Sequence, residues 1–200
     1  MAAPDPRHWT AMHLSTSTVL AMVLWQASIA FAASPAIPAA ADVSVNGVFL
    51  YDLASQQRLL EAEIPFDRES ALPSITFASK DGRQLLTLFT HPGGVGDIAE
   101  FRIAYARGGL RPVRKIDGME SFATGKGIRL GLSEAQVTYI LGPPLRRHSK
   151  GKFRTIEYRI QDARLESSQF LSHYNMPAYY GVYTFTNDHL VAFQFGFQYP

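Results

Sequence analysis

The chain has 200 residues, 46% of them apolar and 18% charged, with a formal net charge of +2. So small and evenly spread a charge excludes nucleic acid as an expected partner. The absence of cysteine excludes disulfides, thiolate zinc sites, cysteine nucleophiles and an acylated N-terminal cysteine as lipid anchor.

In chain order, residues 1–32 read as a signal peptide. Arg7, His8 and His13 precede an apolar run from Val19 to Phe31, which ends at Ala30-Phe31-Ala32 with small residues where a signal peptidase reads. Cleavage is expected near Ala32, with Ala30 and Ala33 as alternatives. The competing reading is a retained anchor. Against it, the run contains Gln26 and Ser28 and falls short of the about 20 apolar residues a membrane span needs. The expected location is periplasmic or secreted. Residues 33–42, rich in Ala and Pro, read as a flexible spacer.

Residues 43–107 form the first expected unit. Ala54 to Leu60 reads as its helix region. Ile75–Ser79, Gln84–Thr90 and Ile98–Tyr105 read as a three-strand meander, with the Gly-rich Pro92 to Asp97 as a wide hairpin loop. Residues 108–126, with clustered glycines and charges, read as a linker.

Residues 127–200 form the second unit. Ser133 can cap a helix over 134–141 and close a capping box with Gln136, Leu132 and Val137 can form a hydrophobic staple, and Gly142-Pro143 ends the helix. Two turns are marginal alone, so this helix needs a sheet to lie on. Lys152 to Ile160 reads as a strand, 161–178 as irregular, and Tyr179–Thr186 with Leu190–Tyr199 as a hairpin. A three-residue loop, Asn187-Asp188-His189, would put Tyr183, Phe185, Val191, Phe193 and Phe195 on one face. Tyr180, Thr184, Gln194 and Gln198 would lie on the reverse.

Asn46-Gly47-Val48-Phe49-Leu50 matches Lys126-Gly127-Ile128-Arg129-Leu130 at an offset of 80, and Ser79 to Arg83 resembles Ser149 to Phe153 at an offset of 70. The two units therefore read as a worn tandem repeat. The expected fold class is α+β: two repeats of short helices packed on a small antiparallel sheet.

Gly131-Leu132-Ser133, Gln136-Val137 and Ile140-Leu141-Gly142-Pro143-Pro144, followed by strands with an aromatic edge, resemble the SmpA/OmlA-type proteins of bacterial outer-membrane assembly. They are also similar to the wider set of β-lactamase-inhibitor-protein-like domains. The resemblance implies short helices on a small antiparallel sheet, often in tandem, and action by binding other proteins. The chain departs from both in lacking the acylated cysteine of the first and the disulfides of the second.

No catalytic constellation stands out. Ser133 brushes against a nucleophile-elbow pattern, but Ala135 stands where a glycine belongs, and a helix cap explains it. The 92–97 loop lacks the Lys-Ser/Thr of a phosphate loop. Beyond the signal, His91, His148, His173 and His189 lack metal-ligand spacing; His91 with Asp97 is the nearest approach to an acid/base or metal pair. Glu61, Glu63 and Asp67, and likewise Asp97 and Glu100, read as solvated acidic faces. Tyr174, Tyr179 and Tyr180 are of the type that interfaces use.

The expected function is a non-catalytic exported protein-binding module of the bacterial cell envelope, with no cofactor and no metal. Its partner would be another envelope protein, held by the face carrying Tyr180, Thr184, Gln194 and Gln198. The alternative is a periplasmic enzyme inhibitor or small-ligand carrier, and more distantly a periplasmic hydrolase using His91. Oligomeric state is left open.

Overall fold

Alternating apolar stretches separated by Asn, Gly and Asp favour hairpins and meanders, and these dominate the chain. The computed structural model describes residues 37–57, 74–91, 97–106, 114–115, 118–161 and 165–198. The signal peptide, most of the 92–97 loop, the acidic stretch at Glu61, Glu63 and Asp67, and part of the 108–126 linker lie outside the described residues. β1 (Ser44–Val45) and β2 (Val48–Phe49) form a small hairpin about Asn46-Gly47, both at positive φ. Then come α1 (Leu53–Gln57), β3 (Ser74–Ala78), β4 (Gln84–Thr90), β5 (Ile98–Tyr105) and β6 (Arg114–Lys115). α2 (Glu134–Leu141), β7 (Arg146–Lys150), β8 (Phe153–Gln161), α3 (Leu165–Tyr174), β9 (Ala178–Thr186) and β10 (His189–Gln198) complete the order.

The expected fold class is corrected here. Among the described residues, eight strands share one sheet in the order β6-β3-β4-β5-β10-β9-β8-β7, and β1-β2 stands apart. Seven of the eight run antiparallel, and only the two-residue β6 lies parallel to its neighbour β3. Among the described residues the protein is mostly β with three short helices, not two helix-on-sheet repeats. The cause is the seam between β5 and β10, which pair from Ala104↔Ala192 to Glu100↔Gly196. Two separate sheets would leave one edge of each strand unpaired in an apolar interior, and buried unpaired backbone groups are costly. The offset-80 match survives only locally. Gly47 and Gly127 both hold positive φ, as do Tyr51 and Gly131, and the two segments bridge each other at Val45↔Thr124.

α2 has its bounds and capping box as read. Ser133 Oγ accepts from the Gln136 amide at 3.2 Å, and Gln136 Oε1 accepts from the Ser133 amide at 2.9 Å. Gly142 ends the helix at φ 82°, its amide donating to the Thr138 carbonyl. Val137 and Leu141 enter the same core as Phe193 and Phe195, and the Tyr158 hydroxyl donates to the Gly142 carbonyl at 2.9 Å. Residues read as irregular contain α3, whose Phe170 packs against Tyr179 and Phe197.

The β9–β10 loop also differs from expectation. Thr186 pairs with His189, so the loop is the two residues Asn187-Asp188, both at positive φ. The extra residue is taken up as a bulge at Val191, between the pairs Leu190↔Phe185 and Ala192↔Thr184. Tyr183 then pairs with Phe193 and the aromatic side chains still share one face.

That face is the core. Phe77, Leu86, Leu88, Phe101, Ile103, Tyr179, Tyr183, Phe185, Phe193, Phe195 and Phe197 bury against the β1-β2 hairpin, α2, α3 and Phe122, Ile128 and Leu130. Tyr179, read as a candidate interface residue, is corrected: it is fully buried. Its hydroxyl donates to the Asp42 carbonyl (2.8 Å) and accepts from the Asp42 amide (2.9 Å). Tyr174 packs on Phe170 and Phe197.

Candidate functional site: the uncovered sheet face

Strand alternation sends every second side chain to the face opposite the helices. Tyr180, Val182 and Thr184 of β9, Ala192, Gln194 and Gln198 of β10, and Glu100, Arg102 and Ala104 of β5 lie there by register. All four residues read as a binding surface therefore share this face. They do not form one cluster.

Tyr180 and Gln194 converge on Glu100. The Tyr180 hydroxyl donates to the Glu100 carboxylate, and Gln194 Nε2 donates to Glu100 Oε1 at 2.7 Å and to the Tyr180 oxygen at 3.2 Å. Tyr180 and Glu100 stand two strands apart with Gly196 between them, paired to both. Without a side chain at 196 the phenol crosses β10 unobstructed. Gly196 packs so closely that an added Cβ would lie 2.8 Å from Glu100 Cα. Glu100 is only 9% exposed, which corrects its reading as part of a solvated face. Burial raises its pKa above the usual carboxylate value, against the smaller opposing effects of Tyr180, Arg102 and Gln194. Burial, then the nearby Glu100 charge, pushes the Tyr180 phenol well above its ordinary value. The triad is thus a part-buried polar knot in which the phenol stays protonated and serves as a donor.

Gln198 is exposed at the far end of β10, where it accepts a hydrogen bond from Arg159 at 2.8 Å. Thr184 lies at the other end, in a groove of about 950 Å³. The groove runs from Ser74 on β3 to Phe153 on β8 across six adjacent strands, roughly 24 Å at ordinary strand spacing. Its floor is shallowest in side chain where Ala104 and Ala192 face each other, flanked in the same row by Leu85 and Thr184. Phe89, Tyr105, Phe153 and Val191 add apolar walls, and Arg102 and Lys152 are its two cations. Among the described residues no carboxylate lines it. Thr76 and Thr87 satisfy each other at 2.9 Å.

His91, the other residue singled out, sets its ring 6.0 Å from Tyr51, and burial lowers its pKa. Among the described residues no three His, Asp or Glu side chains are grouped to hold a metal ion. No described helix is long and apolar enough to cross a membrane.

Sequence reasoning missed Glu100 and the groove. Local sequence gave no signal for Glu100: in Ile98-Ala99-Glu100-Phe101-Arg102-Ile103 one alternation is Ala, Phe and Ile and the other carries both charges, the pattern of a strand with one solvated face. The groove had no local signal, because its floor comes from residues nearly ninety positions apart that meet only at the seam. No protein-family model, curated protein or solved structure matches the chain.

Proposed function

We propose that the chain is a non-catalytic, exported binding module of the bacterial cell envelope whose working surface is the uncovered sheet face, and that it binds a small ligand there. One observation carries this reading: the sheet is covered by helices on one side, while the other side holds a mostly apolar groove of about 950 Å³. That is the size and lining of an ordinary small-molecule site. The signal-like N-terminus and the SmpA/OmlA resemblance of residues 131–144 support export and the envelope. Native mass spectrometry of gently purified protein tests the reading. A bound small molecule lost in Ala192→Trp, which fills the groove, supports it; identical spectra for the apoprotein and both preparations contradict it.

A second reading, another envelope protein as partner, is favoured by Tyr180, Gln194 and Gln198, which give the same face a polar, hydroxyl-bearing patch beyond the groove. Crosslinking in intact cells tests it. Loss of a crosslinked partner in Gln194→Ala and Gln198→Ala supports this reading, and retention of every partner contradicts it.

A further inference from the structure

We propose that the groove takes a single-chain amphiphile with a long apolar tail and an anionic head, a carboxylate or a phosphate monoester, with Lys152 holding the head at the β8 end. This rests on the small-ligand reading above. The first argument is charge complementarity. The two charged groups of the lining are both cations and no carboxylate lines the groove among the described residues; Arg102 is partly offset by the nearby Glu100, whereas Lys152 is in no salt bridge among the described residues. The Lys152 ammonium is 5.5 Å from the Phe153 ring centroid, which orders it at the β8 end of the groove. A weakly compensated cation beside apolar walls favours an anion whose other end is apolar.

The second argument is the shape and bonding of the floor. The groove crosses strands rather than running along an edge, and over β4, β5 and β9 at its centre each strand is paired on both sides. A peptide laid across it would bury its own amides and carbonyls against side chains and a largely paired backbone, with few partners to satisfy them. An alkyl chain carries no such groups. The small Ala104 and Ala192 leave room for it, and Leu85 and Phe89 supply apolar contact toward β3.

The test is displacement of the neutral dye Nile red from the full-length protein by oleate, oleyl phosphate and oleyl alcohol. At least one anion should displace the dye at about tenfold lower concentration than the alcohol, and the better one identifies the head. Lys152→Gln should lose that preference while keeping its affinity for the alcohol. Ala192→Trp should bind none of the three, with its thermal unfolding checked to show that it folds. Equal displacement by alcohol and anions would overturn the anionic head and leave the small-ligand reading standing. Undiminished binding to Ala192→Trp would overturn the groove as the site. No dye or amphiphile bound by wild type would overturn the small-ligand reading itself.

Discussion

Replacing Gly196 with alanine should disrupt the seam on which the architecture depends. A Cβ at this position would lie 2.8 and 2.9 Å from the Cα and Cβ of Glu100 and closer still to the Ala99 carbonyl oxygen. Carbon pairs settle near 3.5–4.0 Å, and backbone atoms of a paired strand cannot swing aside as a side-chain tip can. β5 and β10 must therefore separate by up to about 1 Å, stretching the ladder from Glu100 to Ala104 and lifting the Tyr180 phenol off the carboxylate. Overpacking a well-filled site costs about 1–3 kcal/mol, and a backbone clash belongs at the upper end. For a chain of this size each kcal/mol moves Tm by about 2–4 °C, so Gly196→Ala should melt roughly 6–12 °C below wild type. Thermal unfolding followed by circular dichroism reads this directly. Gln198→Ala, on the same strand but exposed, serves as the control and should change stability by less than about 0.5 kcal/mol. A Gly196→Ala protein that melts with its control would refute the close approach of β5 to β10.

Two further perturbations follow from the polar contacts. Tyr179→Phe removes a hydroxyl that serves both backbone groups of buried Asp42; denaturant unfolding should show a loss of about 1–3 kcal/mol, and an unchanged midpoint would contradict the contact. Glu100→Gln addresses pH. Burial raises the Glu100 pKa above 4.5 in the folded chain, so the folded state binds this proton more tightly than the unfolded one. The stability it contributes is fully present below about pH 4.5 and is lost as pH rises through the folded value. Glutamine does not titrate, so Glu100→Gln should flatten that decline in urea-unfolding free energy measured against pH, and should be at least as stable as wild type at pH 8. An unchanged slope would contradict it.

What the sequence revealed depended on how local the cause was. Helix α2 was legible to its bounds because Ser133, Gln136 and Gly142 fix both ends within ten residues. The β3-β4-β5 meander and the β9-β10 hairpin were legible through period-two alternation. The reverse face was also legible, since register alone assigns Tyr180, Thr184, Gln194 and Gln198 to it. The loop was misplaced because a two-residue turn with a bulge at Val191 and a three-residue turn produce the same alternation beyond Ala192. β7 was hidden because Arg146-Arg147-His148-Ser149-Lys150 is a sheet edge, where charged residues guard unpaired backbone. The division into two repeats failed for a non-local reason. Nothing within β5 or β10 announces the other as its neighbour, and the local likeness at residues 46–51 and 126–131 belongs to two loops bridged to each other.

The most direct measurement is a backbone amide NMR titration of the isotope-labelled protein with oleate. The account predicts the largest shift changes at Leu85, Ala104, Thr184 and Ala192, on four neighbouring strands, with small changes at Val137, Leu141 and Phe170 on the covered side. Changes centred on the helices, or none in the groove at saturating oleate, would contradict the uncovered face as the binding surface.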